Sequence, residues 1–226
     1  MGAAIGDQLP FAVGIALGPI PIIAVILMLF SGRPVSNSVA YLTGWISGLA
    51  ILCAIVLILV NPADTPSNGK DTPIGAVLRL AVGMGLVWLA WREWRKRPAP
   101  GEKAELPGWM NSISTLRPAQ SLGVGVLFSG LHVNHVMLVI GAMLTLAQAN
   151  LARAQTLAVI TLFIMLSSIS VFAPFVAYLI LGERAAEPLG KCKAWLEANN
   201  ATVMTLMLVI LGTVAIGKSL GTLSPL

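Results

Sequence analysis

The chain has 226 residues, is 57% hydrophobic and only 10% charged, and its mean hydropathy is +0.87. Soluble domains carry about 25% charged residues, so this composition excludes a soluble globular domain and indicates an integral membrane protein. The net charge of +5 does not indicate nucleic acid, because the basic residues sit in loops between hydrophobic runs.

In chain order the hydrophobic runs fall at about 9–30, 38–60, 73–94, 119–147, 156–182 and 202–220. A helix needs roughly 20 apolar residues to span a bilayer, so each run reads as one transmembrane helix. The first has no Lys or Arg before it and no small-residue cleavage site after it. It therefore reads as a retained helix and not as a signal peptide. In its middle lies Gly14-Ile-Ala-Leu-Gly-Pro-Ile-Pro-Ile22, where Pro19 and Pro21 behind Gly18 remove backbone donors at membrane depth. Such a break is tolerated only where the freed groups face protein or a water-filled cavity. In secondary transporters it tends to mark the substrate site; the plainer alternative is a kink.

The polar segments between runs are too short for a second soluble domain. The expected fold is all-α: one polytopic membrane domain, 1–226, of six transmembrane helices. The first half covers about 1–97, a loop about 98–118, and the second half about 119–226. Orientation follows the Lys/Arg bias of the short loops. Arg33, the group Arg92, Arg95, Lys96, Arg97, Lys103 and Arg117, and then Arg184, Lys191 and Lys193 flank the odd-numbered loops, whereas the even loops hold only Lys70 and Arg153. Odd loops are therefore expected in the cytoplasm, with both termini outside a plasma membrane. Arg79, near the outer end of the third span, is expected to snorkel to the interface.

With that orientation the six helices divide into two inverted three-helix halves. The fourth span carries its own polar interruption, Gly130-Leu-His-Val-Asn-His135, at a depth comparable to the Gly18–Pro21 break. Paired interruptions in corresponding helices point to a central site, here made of Gly18, Pro19, Pro21, His132, Asn134 and His135. The two histidines are the only ones in the chain, and three residues apart they share a helix face. They either carry a proton for a coupled transporter or hydrogen-bond neighbouring helices as packing contacts. Two imidazoles without a nearby acid make a poor metal site, so neither metal nor cofactor is expected. No nucleophile–base–acid constellation is visible, so no enzymatic activity is expected. All nine carboxylates fall in loops or near helix ends, and an apolar interior suits an amphiphile or neutral substrate better than a small cation.

The third span ends Trp88-Leu-Ala-Trp-Arg-Glu-Trp-Arg-Lys-Arg97. Trp91 and Trp94 with Arg92, Arg95, Lys96 and Arg97 form an interfacial anchor that also attracts anionic headgroups. Ala185–Ala198 is expected to form a short interfacial helix with Leu189, Cys192, Trp195 and Leu196 on one side. Ser167, Ser168 and Ser170 either line a polar path or permit close packing. Cys53 and Cys192 form no CxxC pair and supply no disulfide framework.

Several of these segments together resemble a known family. They are Gly18-Pro-Ile-Pro21, Gly44-Trp45, the basic cluster ending at Pro98, Pro107-Gly-Trp-Met110 and Lys193-Ala-Trp-Leu-Glu-Ala-Asn199. In order and spacing they are similar to the peptidoglycolipid-addressing family, which includes the sulfolipid-addressing proteins of mycobacteria and is placed in the lysine exporter superfamily. The resemblance implies two three-helix repeats and a role in moving glycolipids to the cell surface. Relatives usually carry an Asn-Pro-Lys-Asn-like motif in the fourth span, where this chain reads His132-Val-Asn-His135. The expectation is thus a transporter or flippase for a glycolipid or related amphiphile. The alternatives are a small-molecule, amino-acid-type exporter and a non-transporting accessory subunit of a lipid-export machine. The partners expected are membrane lipid and such machinery, and an oligomer is compatible with either.

Overall fold

Proline and glycine punctuate the helices. The computed structural model describes residues 1–60, 73–95, 97, 113, 115–149 and 151–223, and every regular element among them is helical. In order these are α1 (Gly2–Ala16), α2 (Pro19–Leu29), α3 (Pro34–Val60), α4 (Pro73–Arg95), α5 (Pro118–Gly130), α6 (Val133–Gln148), α7 (Arg153–Leu181), a 3-10 turn (Gly182–Ala185) and α8 (Ala186–Leu223). Four of these helices open on proline, which suits a first turn because its missing N–H would have no intrahelical partner there. Gly182 ends α7 at φ +57°, a left-handed conformation that only glycine adopts without steric cost.

The two expected breaks are both present. α1 and α2 meet at 51°, and α5 and α6 meet at 57°. Three helical stretches are long and apolar enough to cross a membrane: Pro34–Val60, Gly75–Arg95 and the continuous run Arg153–Gly221. Counting each bent pair as one span raises the number to five. Ile58, Leu59 and Ile180 are about three-quarters exposed. Such side chains suit a bilayer environment, whereas soluble monomers seldom expose large apolar patches.

Packing follows small residues. On α3, Gly44 and Gly48 face α5, where a Cβ at Gly44 would overlap the Leu122 carbonyl and one at Gly48 the Ser129 hydroxyl. A Cβ at Gly125 of α5 would in turn overlap the Tyr41 carbonyl of α3. Glycine is required here because the backbones themselves are in contact, as is usual where lipid removes the hydrophobic drive for helix association. α4 and α8 run antiparallel on a second contact of this kind, where a Cβ at Gly83 or at Gly212 would lie 3.0 Å from the other's carbonyl oxygen. α1 packs on α6 and α7, α2 on α7 and α8, and α4 on α6. The main core gathers Ile15, Tyr41, Trp45, Leu138, Met143 and Phe163, among others.

Two expectations require correction. Ala185–Ala198 is not a separate interfacial helix, because its residues from Ala186 form the first turns of the 38-residue α8. Leu189 and Leu196 are buried against Ile26, Leu29 and Ile23 of α2, whereas Cys192 and Trp195 are exposed. The buried face is set by α2 and not by a membrane surface. Arg79 does not snorkel outward. It is 5% exposed and its guanidinium donates to Gln148 Oε1 of α6, a partner that only the tertiary fold brings within reach.

The α3–α5 contact makes a sharp stability prediction. Gly125→Ala should lower the thermal unfolding midpoint in detergent, at a cost of about 1–3 kcal/mol for overpacking. Gly123→Ala, two residues away with open space around it, should leave the midpoint nearly unchanged. Equal behaviour of the two variants would contradict the backbone contact.

Candidate functional site at the paired helix breaks

Side chains from other helices reach backbone carbonyls at both breaks. At the first break the Leu17 N–H reaches Val13 O at 2.9 Å and the Gly18 N–H reaches Ile15 O at 3.1 Å, while Pro19 and Pro21 have no N–H to offer. Ser170 Oγ of α7 donates to Ala16 O, the last carbonyl of α1. Tyr41 of α3, fully buried, donates its hydroxyl to Pro21 O at 3.2 Å.

The second break mirrors this arrangement. The Leu131 N–H closes α5 on Leu127 O at 3.0 Å, and His132 sits between the helices in an extended conformation, φ −71° and ψ 118°. His135, in the first turn of α6 and 1% exposed, reaches back to Phe128 O at 2.8 Å through Nδ1. A carbonyl only accepts, so this contact assigns the ring proton to Nδ1 and leaves Nε2 as the acceptor of the neutral ring. Nε2 faces the first break, and a Cβ added at Gly18 would lie 3.1 Å from it. The two breaks therefore meet at Gly18 and His135, where a larger residue at position 18 would press on the imidazole.

Aromatic rings complete the cluster. Trp45 is fully buried, lies edge-on to His135 with centroids 5.5 Å apart, and donates Nε1–H to Ser168 Oγ at 3.1 Å. Tyr41 lies 6.5 Å from Trp45, and the His132 ring 4.9 Å from His135. Of the residues expected at the site, Gly18, Pro19, Pro21, Asn134 and His135 are buried and His132 is half-buried; Gly18 meets His135, and His135 in turn meets His132. Tyr41 was not anticipated, and Trp45 entered only as part of a family-like pair. The available signal was a polar-tipped aromatic inside an apolar span, since buried Tyr and Trp usually find a hydrogen-bond partner. Ser168 and Ser170 act here as hydrogen-bonding partners across helices, and Ser167 is buried beside them in sequence. Among the described residues no three His, Cys, Asp or Glu side chains gather into a group that could hold a metal ion.

A sequence profile of the family described as Sap, sulfolipid-1-addressing protein, matches residues 9–221. The chain belongs to this family. No curated protein and no solved structure gives a match. Family membership and the apolar helices together fit a membrane-embedded protein involved in lipid handling.

The anchor residues lie apart from the breaks, at the end of α4. Trp88, Trp91 and Trp94 are about half exposed, with the Arg95 guanidinium 5.0 Å from the Trp91 ring centroid and that of Arg97 4.0 Å from the Trp94 centroid. Arg92 is exposed; Lys96 and the Pro107–Met110 segment lie outside the described residues. Stacked cations over tryptophan keep the charge at the ring face, which suits the level of lipid headgroups.

The Phe128 contact can be tested by isosteric replacement. His135→Asn keeps a donor near the position of Nδ1, whereas His135→Leu leaves a buried carbonyl unmet at about 1–3 kcal/mol. The leucine variant should therefore unfold at the lower temperature in detergent. Equal midpoints would mean that the imidazole is not closing the break.

Proposed function

We propose that this protein is a plasma-membrane transporter or flippase that moves a glycolipid or related amphiphile toward the cell surface. The observation that carries the reading is the contact of two broken helices through Gly18 and His135. Broken helices meeting inside a bundle are the arrangement by which transporters present backbone ends to a substrate. The family's name, with its reference to addressing a sulfolipid, supports a lipid as cargo. So does the exposure of Leu17, Leu131 and Val133, which puts an apolar flank of each break at the periphery of the bundle. Acyl chains can stay in the bilayer there while the polar head passes Gly18, Pro19, Pro21, His132, Asn134 and His135. Gly18 and His135 are in contact, so passage requires α2 and α6 to part.

We read the membrane domain as six spans, taking each bent pair as one and α7 and α8 as two. The pairing of helices supports two inverted halves: α3 packs on α5 as α7 packs on α1, and α2 packs on α8 as α6 packs on α4. The Lys/Arg bias of the loops then puts both termini outside the plasma membrane. The basic, tryptophan-rich end of α4 lies at the cytoplasmic headgroups.

Two experiments examine this reading. Cys192 is exposed and Cys53 buried, so the native chain carries its own topology reporter. An impermeant thiol reagent should spare Cys192 on intact cells and label it after permeabilisation; labelling of intact cells would reverse the orientation. For function, Pro19→Ala combined with Pro21→Ala lets α1 and α2 join, because alanine is the best helix former. The double variant should express and fold, while surface display of lipid falls to background. Undiminished display would reduce the break to a kink.

A further inference from the structure

The core-facing stripe of α8 turns polar toward the start of the helix. Positions 193, 197, 200, 204, 208 and 211 follow the three- and four-residue spacing that lines up one helix face. Met204, Leu208 and Leu211 are buried, the two leucines in the main core, and Leu211 lies against Gly14 of α1. The same face, continued toward the start of α8, presents Lys193, Glu197 and Asn200, all partly buried. On one flank of this stripe Leu189 and Leu196 pack on α2, and on the other Gly212 meets α4. The three polar side chains therefore turn toward the interior of the bundle, between α4 and the second half of the broken first span. Glu197 lies within the 38-residue α8 and not at a helix end.

Burial sets this ion pair apart. Lys193 Nζ lies 2.8 Å from Glu197 Oε1, with the side chains 23% and 13% exposed. On the outer face of the same helix, Lys191 and Glu187 form a pair of the same spacing at 75% and 78% exposure. The outer pair is an ordinary solvated contact. The inner pair bears a desolvation cost that its own attraction does little more than offset, and ionisable groups on the inner side of a membrane bundle usually mark function. One turn further on, Asn200 Oδ1 is shut off from solvent and accepts no hydrogen bond. Buried polar atoms of folded proteins are rarely left so.

The charges at this position cancel. A free cation is repelled by Lys193 and a free anion by Glu197, so neither is favoured. What stands in surplus is acceptor capacity: a carboxylate can accept several hydrogen bonds, and the Asn200 oxygen accepts two. The complement is an uncharged donor. Neighbouring hydroxyls fit best, because each can donate to Glu197 or Asn200 while its oxygen accepts from the Lys193 ammonium.

We infer that Lys193, Glu197 and Asn200 form a recognition site for the hydroxyls of an uncharged, polyhydroxylated headgroup. The inference rests on the transport reading for the nature of the cargo and adds the side chains that select it.

The test is binding by the full chain in an amine oxide detergent, which itself carries no sugar. The unfolding midpoint is followed as monoglucosyl diacylglycerol is added to the micelles, with diacylglycerol and phosphatidylcholine of the same acyl chains as controls. The glucosyl lipid should raise the midpoint by about 3 °C relative to both controls. Asn200→Ala should increase the amount of lipid needed by about tenfold. Lys193→Met combined with Glu197→Leu removes both charges together and so leaves neither unpaired; this double variant should abolish the difference between lipids. Glu187→Ala with Lys191→Ala, the exposed pair, should keep it. If one of the two site variants fails to fold, the other carries the decision. Equal shifts from all three lipids, or a selective shift that persists unchanged in the folded site variants, overturn the inference and leave Asn200 Oδ1 to an ordered water. Because binding is read without transport, its failure leaves the Pro19 and Pro21 display experiment standing, and failure of that experiment leaves the binding result standing.

Discussion

The structure depends on one constraint: in an apolar bundle, each backbone group released by a broken helix must find a partner inside the protein. An unmet peptide group away from water costs several kcal/mol in hydrocarbon. The partners here come from other helices. Ser170 of α7 meets Ala16 and His135 bridges back to Phe128 across its own break, while Tyr41 of α3 adds a hydrogen bond to Pro21 O in the first turn of α2. Each hydrogen bond ties a break to a neighbouring element, so the irregular backbone becomes the place where α1, α2, α3, α5, α6 and α7 are fastened together. Trp45 adds a further tie, with its ring edge-on to His135 and its N–H on Ser168 of α7.

Such fastening requires close approach, and glycine supplies it. Gly44, Gly48 and Gly125 let α3 and α5 touch along their backbones, and Gly83 with Gly212 does the same for α4 and α8. Gly18 performs this role at the centre, where any larger residue would press on His135. The polar contacts and the glycine contacts are therefore mutually dependent: the hydrogen bonds form only because the helices approach closely, and the approach is tolerable only because the opened backbone is met. A single histidine thus has a structural duty at the point where a transport reading would also place it. With Nδ1 on Phe128 O, Nε2 remains turned toward the other break.

The overall class of the molecule was legible in the sequence because it follows from bulk properties. Long apolar runs separated by short polar segments demand helices in a bilayer, and Pro and Gly at mid-run demand a break whatever the surroundings. The positions of both breaks, Gly18–Pro21 and Gly130–His135, were read correctly for that reason. Ala185–Ala198 was misread because its amphipathic period is equally consistent with a membrane surface and with a neighbouring helix; α2 decides the matter by burying Leu189 and Leu196. Arg79 was misread for a related reason, since a long side chain near a helix end goes wherever a partner is found.

By itself, then, the sequence determined the membrane environment, the all-helical class and the places where helices break, because these depend on composition, local hydrogen-bonding capacity and the missing N–H of proline. Only the tertiary structure decided which groups meet across those breaks. That Gly18 lies on His135, that Ser170 meets the Ala16 carbonyl and Tyr41 that of Pro21, and that Arg79 lines a cavity with Lys218 are contacts between residues tens to more than a hundred positions apart. No local periodicity encodes them. They arise from the packing of α1 on α6 and α7, α3 on α5, and α4 on α8, where backbone contact at glycine sets the helix spacing and unmet backbone groups select their partners.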